Sequence, residues 1–149
     1  MEEQKKLSFI YKAKPIRINY EDAGTRLGSI PVHSSYDIEN VLVINTDDDK
    51  QMILVNKQIL SDMESLDIDS MIMHVLTRMT HTEDTNSIIA DVFVANWFGY
   101  SRMIKLVKTF EHDEVKKHKR IDRLERAVIS NLEIKFPEKD EIINNFNFI

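Results

Sequence analysis

Hydrophobic positions recur with one period over residues 7–55 and with another over residues 57–133. In the first stretch, Leu7–Lys12 and Ile16–Tyr20 alternate or are rich in Ile, Phe and Tyr, the signature of strands. Pro15 stands between them, and Gly24 and Gly28 mark a loop. Val41–Asn45 and Gln51–Val55 are short apolar runs joined by Thr46-Asp47-Asp48-Asp49-Lys50, which predicts a hairpin with a polar five-residue tip. Val41–Ile44 is continuously apolar, so it reads as a central strand covered on both faces.

The second stretch is helical. Asn56 is placed to cap a short helix over Lys57–Ser65. Asp67 or Asp69 would cap the next, whose stripe is Ile68, Met71, Ile72, Val75, Leu76 and Met79. Asp84 or Thr85 would cap a third, with Ile88, Ile89, Val92, Phe93 and Asn96 inward, and Gly99 suits its end. Ser101 opens a fourth through Phe110, with Met103, Leu106, Val107 and Phe110 in register. A last helix is expected from about Asp113 to Leu132, with Ile121, Leu124, Val128 and Leu132 inward, and Pro137 ends regular structure. The fold class that follows is α+β. A small antiparallel sheet from the N-terminal third packs against a helical C-terminal half. The chain is expected to form one domain over residues 1–136, with residues 137–149 as a tail.

Composition narrows the function classes. The 149 residues include no cysteine, which excludes disulfides, a thiol nucleophile, a cysteine zinc site and an iron–sulfur cluster. No apolar run approaches the ~20 residues that span a bilayer, so no membrane partner is expected. The polar start, Met1 to Lys6, leads into no signal-type apolar region, and the expected compartment is the cytoplasm, or a virion assembled there. Net charge is −5, yet residues 102–126 carry nine basic and five acidic side chains. That segment is either a solvated helix face with i,i+4 pairs such as Asp122–Arg126 or a surface for phosphates or an acidic protein.

Several residue groups suggest chemistry. His74 and His81 share a helix face but lie about 10 Å apart along its axis, with Arg78 between them, so a polar flank fits better than a metal pair. His33-Ser34-Ser35 and His81-Thr82-Glu83 resemble paired His-x-Ser/Thr phosphoesterase motifs, but Glu83 replaces the second hydroxyl and would repel phosphate. Asp47, Asp48 and Asp49 lack the spacing of a calcium loop and read as a charged hairpin tip. Ala95, Gly99, Ser101 and Arg102 are spaced as in a helix-turn-helix, whose phosphate contacts would be Arg102, Lys105 and Lys108. Lys105 opposes that reading, because it stands where the motif needs a buried apolar residue. Trp97, Phe98 and Tyr100 form an aromatic group that is either a contact patch or core packing at a helix end.

The order of elements resembles the HtpX-like gluzincin metallopeptidases, and above all their small soluble versions, the minigluzincins. The likeness runs over about residues 38–128 through four motifs: the strand Met52-Ile53-Leu54-Val55-Asn56, the pair Ile59-Leu60, the run Ser87-Ile88-Ile89-Ala90-Asp91-Val92-Phe93-Val94-Ala95, and Arg120-Ile121-Asp122-Arg123-Leu124. The third run is one residue longer than the family's Glu-x-x-Ala-Asp-x-x-Ala. The resemblance implies a zinc site that has degenerated. His74 matches the first zinc histidine, Val75 stands for the catalytic Glu, Arg78 for the second histidine and Ser87 for the Glu ligand. A catalytic zinc needs three ligands and a base for its water, so no metal, cofactor or catalytic residue is expected. An Arg78–Asp91 ion pair would replace the metal as a link between the two helices.

The function expected from this is a non-catalytic binding or assembly protein on a pseudo-peptidase scaffold, with a protein partner or a second copy of itself. Nineteen Ile and ten Asn suggest an AT-rich genome, which suits a phage or mobile element. The alternatives are a DNA-binding regulator acting through residues 95–126 and a hydrolase using His33, His74 or His81.

Overall fold

A computed structural model describes residues 9–11, 14–83, 87–130 and 136–149. The fold is α+β, with six strands in the N-terminal part and six helices mostly in the C-terminal half among the described residues. The chain divides into two compact units, residues 1–62 with 148–149, and residues 63–147.

The first unit is a sheet structure. Phe9–Tyr11 (β1) and Lys14–Ile16 (β2) form a two-stranded antiparallel ribbon. The expected strand Leu7–Lys12 extends beyond the described residues, and Pro15 lies inside β2 rather than between strands. Asn19–Arg26 (β3), Ile30–Ser35 (β4), Val41–Asn45 (β5) and Gln51–Asn56 (β6) form a second sheet in the order β3-β4-β6-β5. Gly24 sits within β3, where the register shifts, and the turn into β4 is made at Leu27 and Gly28, both with positive φ.

The β5–β6 hairpin has the expected limits to within one residue, β6 running on to Asn56, and the expected exposed acidic tip. The sheet is mixed rather than wholly antiparallel, because β4 runs parallel to β6, from Val32 opposite Ile53 to Ser35 opposite Asn56. The unforeseen β4 therefore makes β6 the central strand, with Met52–Val55 all buried. It leaves β5 at an edge with Val41–Ile44 half-buried, which corrects the expectation of a central β5. One face of the sheet builds a core from Ile16, Ile38, Met52 and Leu54, with Tyr20, Leu42 and Ile149 against it. The chain end belongs to this core, since the Ile149 amide donates to the Gln51 carbonyl. Lys57–Asp62 (α1) closes the unit, capped as expected by Asn56, whose Oδ1 accepts from the Gln58 and Ile59 amides.

The second unit is helical: Ser65–Thr80 (α2), Ile88–Phe98 (α3), Tyr100–Phe110 (α4), Glu114–Ser130 (α5) and Lys139–Ile143 (α6). Ile68, Met71, Ile72 and Leu76 of the expected α2 stripe are buried, as are Met103, Leu106 and Val107 of α4. Gly99 ends α3 and begins α4 at φ 109°, a conformation that suits glycine. Asp113 caps α5 through bonds from the Val115 and Lys116 amides. The caps suggested for α3, Asp84 and Thr85, lie outside the described residues.

Four expectations need correction here. Asp67 does not cap α2; it is buried within the first turn. The inner face of α3 is Ala90, Asp91, Val94 and Ala95, while Ile88 and Asn96 are exposed. The small side chains allow close helix approach, and Asp91 finds partners there. On α5 Leu124 is buried but Val128 is 54% exposed. Regular structure does not end at Pro137, since α6 follows it. No helix among the described residues is long and apolar enough to cross a membrane.

Candidate functional site

Two buried carboxylates tie the helices of the second unit together. Asp91 is in the first turn of α3, where its charge also suits the helix dipole. Its Oδ1 accepts from His74 Nε2 on α2 and from Arg120 Nη2 on α5, each at 2.7 Å. Its Oδ2 accepts from Arg120 Nε at 2.8 Å. Arg120 is thus bidentate on Asp91, the strongest geometry for such a pair. A further nitrogen, Nη1, reaches Glu111 Oε1 at 3.3 Å, just beyond the end of α4. Burial alone would push the Asp91 carboxyl up, but the hydrogen bonds from Arg120 and His74 outweigh it and hold it below its ordinary value. Asp91 is therefore the acceptor in its bond with His74, and His74 Nε2 the donor.

The second hub is Asp67 on α2. Arg102 Nη1 donates to its Oδ1, and Lys105 Nζ donates to its Oδ2 at 2.9 Å. Burial raises this carboxyl too, but the bonds from Lys105 and Arg102 prevail and leave it lowered. Lys105 is 60% exposed and adds little to a hub whose other arm, Arg102, is mostly covered. Replacing Asp67 with Ala is expected to cost about 2 kcal/mol, because the covered Arg102 loses its acceptor. Lys105→Met is expected to stay within about 0.5 kcal/mol. Urea denaturation of the two variants checks the difference.

The residues singled out in the sequence fall around these hubs. His74 is directed at Asp91, Val75 is half-buried, and Arg78 is exposed. The proposed Arg78–Asp91 pair is replaced by Arg120–Asp91, and Arg120 was the residue that sequence reasoning missed. A usable signal was present: Arg120 lies four residues before Leu124, hence on the buried face of α5. Ser87 is buried at the start of α3 in left-handed backbone, φ 58°, and its side chain caps no amide. These groups do not fit a zinc ion. His74 Nε2 is engaged, Val75 offers no donor atom, and Arg78 brings a positive charge. No three His, Asp or Glu side chains converge as ligands among the described residues.

The other candidates are mostly committed within the chain. Trp97 Nε1 donates to the Pro137 carbonyl at 2.9 Å, and the Phe93 ring meets Phe136 edge-on and Trp97 at a tilt. Lys139 Nζ stands 5.0 Å from the centre of the Phe98 ring. Trp97 and Phe98 thus pack on residues 136–139, and Tyr100 is half-buried. Of the three cations assigned to phosphate contacts, Arg102 and Lys105 are bound to Asp67, and Lys108 is exposed. His81 Nδ1 lies 3.1 Å from the Thr77 carbonyl, and its ring meets Phe93 edge-on. His33 on β4 has its pKa pushed down by burial, a shift the Ile149 backbone opposes. Its ring meets Tyr20 edge-on.

A cleft of about 680 Å³ opens beside the Asp91 hub, in the helical unit. His74, Ser87 and Arg120 line it with Arg78 of α2 and Lys116 and Lys119 of α5. Compared with protein-family models, with curated proteins and with solved structures, the chain finds no significant match to any of them.

Proposed function

We propose that this chain is a non-catalytic binding protein built on a degenerate minigluzincin-like scaffold. The observation that carries the reading is the closed His74–Asp91–Arg120 constellation. A working peptidase centre holds its histidine nitrogens open for zinc and keeps a carboxylate free to take a proton from water. Here the histidine nitrogen is bonded to a carboxylate, both oxygens of that carboxylate are bonded to a guanidinium, and Val75, which the resemblance puts at the position of the base, has no group to take a proton. The cluster is a cross-link between α2, α3 and α5, fulfilling with hydrogen bonds the helix-joining role a metal has in the family it resembles.

A protein partner is supported by the edge strand β5. The Asn56 amide bonds to the Asn40 carbonyl and the Thr46 amide to the Lys50 carbonyl. By the alternation of an antiparallel pair, Val41, Val43 and Asn45 then turn their backbone groups away from β6. Such an edge takes an extended peptide by strand addition.

Incubation with a library of extended peptides, read by mass spectrometry with and without added zinc, tests both halves of the proposal. Retained, uncleaved peptides are the expected result, and Val43→Pro is expected to abolish retention. Cleavage that disappears in His74→Ala overturns the non-catalytic half. Failure to retain any peptide overturns the partner-binding half.

A further inference from the structure

The cleft beside the Asp91 hub carries more positive charge than its neighbours neutralise. Arg78, Lys116 and Lys119 are exposed cations on its walls, and none has an ion-pair partner among the described residues. The three acidic residues of the lining are already engaged. Glu111 is bonded to Arg120, Asp113 caps α5, and Asp122 is paired with Arg126 at 3.0 Å. Arg120, at the covered end of the cleft, is balanced by Asp91. The result is a pocket with three cations that have no direct ion-pair partner among the described residues, set among the carboxylates of Glu111 and Asp113, with a serine hydroxyl and an imidazole.

The geometry points to a binding site for a small phosphate-bearing molecule in this cleft. Three features select that class. First, Lys116 and Lys119 are one helical turn apart on α5, about 4.5 Å along its axis, with Arg78 supplied by α2, so three cations address one compact anion. Second, Asp113 and Asp122 bracket the two lysines in sequence and line the same cleft. These carboxylates repel any anion, but a compact one held at the lysines meets fewer of them than a polyanion running along α5, which would meet Glu114, Asp122 and Glu125 in turn. Third, about 680 Å³ lies within the range of pockets that hold nucleotide-sized ligands. The lysines act as point charges, Arg78 as a fork for two phosphate oxygens, and Ser87 is within the lining to donate its hydroxyl. The site needs no macromolecular partner, so it stands or falls separately from the peptide-binding reading.

Calorimetric titration at low ionic strength with pyrophosphate, adenosine diphosphate and citrate tests the site, using the whole chain. Saturable one-to-one binding of pyrophosphate and adenosine diphosphate is expected, with citrate at least tenfold weaker. The double variant Lys116→Glu/Lys119→Glu is expected to weaken pyrophosphate binding at least tenfold. Lys117→Glu, on the same helix but outside the cleft lining, is expected to change it less than twofold. Lys116 and Lys119 are exposed and Lys117 is half-buried, and circular dichroism checks that each variant is folded. Absence of saturable binding overturns the proposal, as does equal weakening by Lys117→Glu, which would mark a diffuse charge effect. Citrate binding as tightly as pyrophosphate overturns the phosphate assignment.

Discussion

Replacing Asp91 with Ala is expected to destabilise the protein by about 3–5 kcal/mol, the usual cost of removing one member of a buried ion pair. The cost comes from what is left behind. Arg120 is only 13% exposed and would keep its charge with Glu111 as its remaining acceptor, at a longer 3.3 Å. His74 would lose its hydrogen bond as well. The double variant Asp91→Leu/Arg120→Met, which removes both charges, is expected to recover most of the loss. Urea denaturation of the single and double variants gives the coupling directly. The pair also predicts an acid dependence. The folded Asp91 pKa lies below its unfolded value, so on acidification the unfolded chain takes up the proton first. Stability from this group is complete above the ordinary carboxylate value of about 3.9 and is lost as pH falls through the lower folded value. Asp91→Asn should therefore show a shallower fall in stability below about pH 4 than the parent chain.

Leu124→Ala is expected to cost about 2–5 kcal/mol, as for a fully buried leucine. Helix α5 is polar along most of its length, and among its described side chains Leu124 alone is fully buried. Ile121 is half-buried. The substitution removes the main apolar attachment of the helix that supplies Arg120, Lys116 and Lys119. Val128→Ala, one turn further on and 54% exposed, should stay within about 0.5 kcal/mol. Thermal or urea unfolding of the two variants separates a helix held at one point from one held along a stripe.

The contrast between Leu124 and Val128 shows where sequence patterning succeeds. Period 3.6 located all the long helices, and most of the residues it chose on α2 and α4 are buried, because their apolar stripes are flanked by charge; Val75, Met79 and Phe110 are half-buried, and the buried Met73 lay outside the expected stripe. It failed on α3, where nearly every position is apolar. There the inward face was chosen by the smallness of Ala90 and Ala95 and by Asp91's partners, which a hydrophobicity pattern does not register. Strand β4 went unnoticed because Ile30-Pro31-Val32-His33-Ser34-Ser35 has a proline at its second position and ends in hydroxyls. Missing it also misplaced β5, since the strand that borders β6 on its other side decides which run is central. For the candidate site, His74 and Asp91 were legible as positions on adjacent helices. Their partner was not, because Arg120 lies 29 residues beyond Asp91 within a generally basic helix, and only tertiary packing selects it from its neighbours.

The parallel alignment of β4 with β6 also orders the assembly of the sheet. The β3–β4 turn spans only residues 27–29 and the β5–β6 turn only residues 46–50, so each ribbon closes cheaply and early. Joining them requires the chain to return past β5, a non-local step that is expected to come last. The seam they share is four residue pairs long, from Val32–Ile53 to Ser35–Asn56. A two-stranded ribbon is marginal in water by itself. Opening that short seam therefore leaves two unstable ribbons, and the cooperativity of the whole sheet passes through it.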